Sequence, residues 1–421
     1  MNRMIELGEL RHGDEPEPSP APRRPSAASA RVVALCCAVL LTLAGAAPVP
    51  RLPSGVTVPA SPDAGFLVLA DRLVVATGGP GTTGRGDRLV SGYRLPDGAP
   101  VWRFRPPAGD DLLGLWTVAG LLLVASGSPD DGRTAALDPR TGATRWQQPG
   151  YPTLTEAGGV ILETSGADGR RAVRAVNPAT GTARWSLPSL GDRMVYGFGG
   201  RGVTAMVVLG GDGQVEVYDA DSGSLRRADR LPSTVDQSYR WPQVLGDVLL
   251  FGDASGEVTA YGLDRLDRRW TLPARSEDWF ADCGELICLS GRSTGLWAYD
   301  PATGRLRWRD DRWRGAFPVD GRLLVDGPTE RDVVELAVLD PGTGRTLARL
   351  GRWRLTAIGS RSLGIRSVTG DRTLVAELDV SAGQARTLAV LPGSWNGCTA
   401  AAAVLVCQRR SSGLVIWPLD R

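Results

Sequence analysis

The chain has no lysine and a single histidine, His12, in its polar N-terminal tail. From residue 13 onward this excludes Ser-His-Asp and Cys-His nucleophilic catalysis and most histidine-ligated zinc or iron sites. Lysine-based nucleophiles and bases are excluded as well, which leaves tyrosine and carboxylate chemistry. Charge of one sign is missing too: 48 basic residues against 46 acidic ones give a net charge of only +2. No broad positive field for nucleic acid exists on such a chain. The arginine pairs Arg170-Arg171, Arg226-Arg227, Arg268-Arg269 and Arg409-Arg410 read mainly as solvated surface beside turns and outer strands, with a partner face as the alternative. Sustained helical periodicity is absent beyond residue 50, where glycine and proline recur too often for helices, so the class is all-β.

One phrase is present again and again. It reads Ala-Leu-Asp-Pro-Arg-Thr-Gly-Ala-Thr-Arg-Trp from Ala136 to Trp146, and it returns at Ala175 to Trp185 and at Ala298 to Trp308. Weaker copies run Gly92 to Trp102, Val217 to Arg227, Ala260 to Trp270, Val338 to Ala348 and Glu377 to Thr387. The spacing, roughly 40 residues, is that of propeller blades. Within a unit, short apolar runs such as Val248 to Phe251 and Val258 to Tyr261 alternate with turn residues, the pattern of an antiparallel meander. In the Asp-Pro-x-Thr-Gly turn, Asp300 can bond the backbone two residues on, Pro301 pre-sets its φ, and Gly304 supplies a left-handed residue. The tryptophan that follows is a wedge between neighbouring blades.

The chain stops at a Leu-Asp turn, Leu419-Asp420, one strand short of a complete unit. A strand near Leu52 to Val58 is the expected replacement, and it would clasp a ring. The expected fold is a β-propeller of four-stranded antiparallel blades. Eight complete units argue for eight blades, and the composite unit allows nine.

The turn-plus-tryptophan phrase resembles the PQQ-like (pyrroloquinoline quinone) β-propeller repeat. That repeat occurs in quinoprotein alcohol dehydrogenases and in non-enzymatic relatives, among them an outer-membrane assembly lipoprotein and sensor domains of bacterial receptor kinases. The resemblance covers nearly all of Leu52 to Arg421. The layout of tail, one hydrophobic segment and repeats is similar to that of actinobacterial proteins described only as PQQ-binding-like β-propeller repeat proteins. The enzymes of the family hold quinone and Ca²⁺ with Glu, Asn and Asp beside a vicinal disulfide. Here the only adjacent cysteines, Cys36 and Cys37, precede the repeats, and the repeat region has asparagine only at Asn177 and Asn396. No catalytic, cofactor-binding or metal-ligating residue is assigned, and no cofactor is expected. Asp130-Asp131-Gly132, Asp168-Gly169 and Asp212-Gly213 read as hairpin turns, since none continues into a full calcium loop.

Residues 1–31 are polar and proline-rich and read as a disordered cytoplasmic tail. Residues 32–50 contain an uncharged apolar run, Val32 to Ala47, preceded by Arg23, Arg24 and Arg31. The run is short of the about twenty residues of a spanning helix. It reads as one hydrophobic helix, a retained transmembrane anchor, with a cleaved signal ending near Ala44-Gly45-Ala46 as the alternative. Either way residues 51–421, the propeller, lie outside the cell membrane.

The remaining cysteines come in two local pairs, Cys283 with Cys288 and Cys398 with Cys407. Each flanks a turn between the first two strands of a unit and reads as a hairpin disulfide in an oxidising compartment. A metal site or free thiols are the alternatives. Aromatics away from the repeat position offer a binding rim, chiefly Trp241, Trp279, Trp313 and Trp395, with Trp116, Tyr151, Phe280 and Trp353 in similar places. Packing between blades is the competing role. The function expected is a non-catalytic, membrane-anchored extracellular propeller, a scaffold for a protein or cell-envelope ligand and not for nucleic acid. A secreted quinoprotein-like oxidoreductase using pyrroloquinoline quinone is the alternative.

Overall fold

The computed structural model describes residues 54–78, 88–128, 131–165, 171–190, 193–210, 213–231, 240–252, 256–273, 279–291, 295–330, 332–359, 361–401 and 403–419. The expected tail, the expected hydrophobic helix and the first residues of the expected clasp, from Leu52, lie outside these. Among the described residues no helix is long and apolar enough to cross a membrane.

Strands follow one another as antiparallel meanders of four. Five form separate four-stranded sheets: 65–104, 111–149, 151–190, 279–310, and 395–418 completed by Val56–Val58. An eight-stranded sheet joins the meanders 193–230 and 240–273 through a short parallel pairing of Gly197 and Phe198 with Val244 and Leu245. A seven-stranded sheet joins the last two, because Thr346–Ala357 is one continuous strand. Its first part closes the meander that begins at Gly315, and its last part opens the next by pairing with Leu363–Ile365. The described strands thus make nine groups, numbered here as units 1 to 9 from residue 65 onward. The expected eight correspond to the complete units; the ninth is the composite.

Unit 9 is a composite of the two ends of the described chain. Val56, Thr57 and Val58 pair antiparallel with Ile416, Val415 and Leu414. Val56–Val58 is therefore the outer strand of unit 9.

Period-two alternation explains the core. In unit 5, Leu249 and Phe251 pack with unit 4, while Val248 and Leu250 pack with unit 6. Second strands are buried on both faces and so read as unbroken apolar runs. Every apolar cluster joins two units consecutive in sequence, save one: Val58, Val406, Leu414 and Ile416 of unit 9 pack with Leu73, Val75 and Tyr93 of unit 1. That cluster makes the series cyclic.

The repeated phrase is a lock between neighbours. Indole Nε1 of Trp102 donates to the Pro139 carbonyl of the next unit at 2.9 Å. Trp146, Trp270 and Trp308 donate to Pro178, Pro301 and Pro341, and Trp185 to Asp221, all at 2.8 Å. Each ring lies over the turn glycine of that next unit, Gly142, Gly181, Gly223, Gly304 or Gly344. A Cβ there would sit 2.5–2.7 Å from the ring. These glycines also have φ of +66° to +72°, a region that L side chains avoid. Where the tryptophan is lost the turn changes with it. Unit 4 carries Arg227 at that position, and the matching turn residue of unit 5 is Leu266, at φ +58° and buried. At the closure, Val56 takes the tryptophan's place against Gly98, whose added Cβ would lie 2.7 Å from it.

Candidate binding surfaces

In a four-stranded meander the first and third turns share one end and the second turn shares the other with the exit connection. Here the Asp-Pro-x-Thr-Gly turns define the first, or motif, end. The second, or loop, end carries the longer connections, where binding residues gather in many scaffolds.

The four expected rim tryptophans separate. Trp279 opens the inner strand Trp279–Cys283 of unit 6 at the loop end and is 45% exposed. Trp313 is only 1% exposed, in a cluster with Cys283, Cys288, Leu323 and Trp308 between units 6 and 7. Trp395 is 3% exposed; it stands edge-on to Trp417 with centroids 5.1 Å apart, and its Nε1 donates to the Pro392 carbonyl at 3.1 Å. Both are therefore inter-unit packing residues and not rim residues. Arg312 and Arg409 lie over their rings. Trp353 is buried in the same manner. The side chain of Trp241 lies outside the described residues.

Two other inner-strand aromatics are exposed. Tyr151 in unit 3 meets Trp116 of unit 2 edge-on at 5.3 Å, at the loop end. Phe198, 62% exposed, ends the inner strand of unit 4 at the motif end. Sequence reasoning missed Phe198. Its signal was weak, since it follows Tyr196 by two residues on one face, and only Tyr196 is mostly buried. Tyr196 donates to Glu163 Oε2 at 2.8 Å, and Arg171 holds the other oxygen of Glu163. Burial first, and the Glu163 charge second, push the Tyr196 hydroxyl far up, so it stays a neutral donor between units 3 and 4.

The cysteine pairs are disulfides, Cys283–Cys288 and Cys398–Cys407. Cys398 and Cys407 face each other directly across the hairpin, with Cα atoms 4.1 Å apart. Both staple the first two strands of a unit.

Among the described residues, cavities open between units at both the motif end and the loop end. At the motif end, one of about 330 Å³ lies between units 7 and 8. Its central carboxylate, Glu377, accepts from Arg361 at 2.7 Å and from Arg386. The Arg361 hydrogen bond leads in holding that carboxyl below its ordinary range. At the loop end a smaller cavity of about 40 Å³ is lined by Arg354, Arg366, Arg410 and Asp332. Neither suits the quinone and calcium of the family's enzymes. The small one, about 40 Å³, is far below the several hundred cubic ångströms of a cofactor pocket. In the large one Glu377 is committed to two guanidiniums, and Asp379 Oδ1 accepts from Ser381 Oγ at 2.7 Å and the Ala382 amide at 2.8 Å. Asp320 is the third carboxylate of that lining, and Arg361 and Arg386 share the cavity with all three, a setting that disfavours a dication. Among the described residues no group of three or more His, Cys, Asp or Glu is placed to hold a metal.

Residues 169–310 match the family model described as outer membrane protein assembly factor BamB. No curated protein is similar to the chain. Among solved structures, BamB from Moraxella catarrhalis is 16% identical, with 88% of this chain and 99% of that chain covered and a TM-score of 0.44. The quinohemoprotein alcohol dehydrogenase from Comamonas testosteroni is 13% identical, over 87% and 76%, with a TM-score of 0.43. A eukaryotic initiation factor structure is 11% identical, over 78% and 90%, with a TM-score of 0.51, a likeness of fold alone. The chain is thus similar to PQQ-like β-propeller repeat proteins, with the family match lying in residues 169–310.

Proposed function

We propose that residues 51–421 form a nine-bladed propeller that works as a binding scaffold for a protein or cell-envelope ligand and turns over no substrate. In this reading residues 32–50 anchor it, residues 1–31 stay in the cytoplasm, and the ring lies outside. The two hairpin disulfides support an oxidising location. The observation that carries the reading is how the polar groups are spent. Motif carboxylates and amides cap their own turns, indole N–H groups bind the next turn, and Glu163 and Glu377 are held by arginines. What remains for other molecules is recognition surface, with Trp279 and Tyr151 exposed at the loop end. Tryptophan, tyrosine and arginine dominate hot-spot contacts.

The test is crosslinking on intact cells with the full-length chain, in three forms: wild type, Trp279→Ala and Phe198→Ala. A partner captured by the wild type and by Phe198→Ala, and lost with Trp279→Ala, supports a loop-end scaffold. Equal capture by all three forms rejects that face.

A further inference from the structure

At the loop end, where units 7, 8 and 9 meet, three guanidiniums surround the small cavity. Arg354 belongs to the strand that unit 7 passes to unit 8, Arg366 to the second strand of unit 8, and Arg410 follows the second strand of unit 9. Arg410, more than forty positions from the other two, joins them only because units 8 and 9 stack in order.

None of the three is neutralised within the described residues. Arg354 spends one N–H on the Trp395 carbonyl. Arg366 lies over the face of Trp353 with its Cζ 4.5 Å from the ring centroid. No carboxylate forms an ion pair with Arg354, Arg366 or Arg410. The single carboxylate in the lining is Asp332, so the lining carries two unmatched positive charges. Burial, and then repulsion from Arg410, work against the charge on Arg354, with Asp332 opposing. Arg354 is the partly buried member, Arg366 and Arg410 being exposed, and an anion beside the three would relieve the repulsion on it.

We propose that this cavity binds the phosphate group of a small phosphate or phosphate ester. Charge selects the class: a phosphate carries about −1.5 to −2 at neutral pH, which matches the two unmatched positive charges, whereas one carboxylate does not. Geometry agrees. Each guanidinium presents five N–H donors in a planar fork suited to oxyanions, and the hydroxyls of Ser367 and Ser394 complete the lining. The cavity, about 40 Å³, is open, so such a group seats its oxygens against the guanidiniums and leaves its remaining atoms and any attached organic part at the mouth. The site does not depend on the scaffold reading.

Isothermal titration calorimetry on the purified full-length chain, at constant ionic strength set with chloride, tests the site. Three probes are used: inorganic phosphate, glycerol 3-phosphate and acetate. Saturable binding of inorganic phosphate, weakened at least tenfold by Arg410→Gln and by Arg366→Gln, supports the proposal. Equal affinity for glycerol 3-phosphate points to esters as the source, and much weaker affinity to free phosphate. Both variants change exposed arginines, so circular dichroism and melting should match the wild type. No binding of phosphate, equal affinity in both variants, or preference for acetate overturns it.

Discussion

The inter-blade lock makes a sharp forecast at Gly304. Its φ of +66° costs an L residue roughly 1–2 kcal/mol by itself. An alanine Cβ would also lie 2.6 Å from Cγ of Trp270. The ring cannot swing aside without losing its bond to Pro301 at 2.8 Å, and it is 7% exposed. Overpacking of a fixed core adds roughly 1–3 kcal/mol. Gly304→Ala should therefore cost about 2–5 kcal/mol. Gly321 is the control: its φ is +71°, and nothing lies within 4 Å of an added Cβ. Gly321→Ala should cost only the backbone share, about 1–2 kcal/mol. Urea unfolding followed by tryptophan fluorescence reads both. Combining Gly304→Ala with Trp270→Ala should give a smaller loss than the sum of the two, because the second change removes the ring atoms that the first one strikes. Equal costs at Gly304 and Gly321, or strict additivity, would refute the lock.

Leu266→Gly should destabilise despite φ +58°, by about 2–5 kcal/mol. The side chain fills the space between units 4 and 5 where no tryptophan enters, and its removal leaves a cavity; urea midpoints check it. Reducing the disulfides, or replacing both cysteines of either pair by serine, should cost about 2–3 kcal/mol per pair, since the closed loops are short; denaturation with and without reductant measures it. Acid should weaken the fold. Asp138, Asp300 and Asp340 are held below the ordinary carboxylate range, chiefly by hydrogen bonds from Arg145, Thr303 and Thr343 respectively. Their stabilisation is full above the unfolded value near about 3.9 and is lost as pH falls through the lower folded values. Melting temperature should fall between pH 5 and pH 2 (both approximate), and Asp300→Asn should flatten that fall slightly; an unchanged melting temperature across the range contradicts the assignment. Buried Asp326, pushed up by desolvation, works in the opposite sense.

The repeat was legible because its residues act locally. Asp300, Pro301 and Gly304 shape one turn, and any chain with that phrase every forty or so residues is led to a meander. The clasp was legible from a missing strand, and the cysteine pairs from their place about a hairpin. Two things were not. The sequence read Trp270 as a wedge, but the indole bond to Pro301 and the cover over Gly304 link residues of adjacent units and leave no mark within either one. Trp313 and Trp395 looked like rim residues because alternation cannot tell a solvent face from a neighbouring blade. In a propeller both faces of a strand meet other blades, so an inner-strand tryptophan is buried or exposed according to the loops around it. The sequence argued for eight blades and allowed nine; the described strands form nine groups, the ninth being the composite, which packs on units 8 and 1.

The reading that this ring binds and does not turn over substrate meets its most direct test in one titration. Pyrroloquinoline quinone is added with Ca²⁺ to the full-length chain, quenching of tryptophan fluorescence is followed, and an alcohol panel with a dye acceptor is assayed in the same samples. The expected result is no saturable quenching and no quinone-dependent dye reduction. Stoichiometric quinone binding that requires Ca²⁺ and supports dye reduction would contradict it.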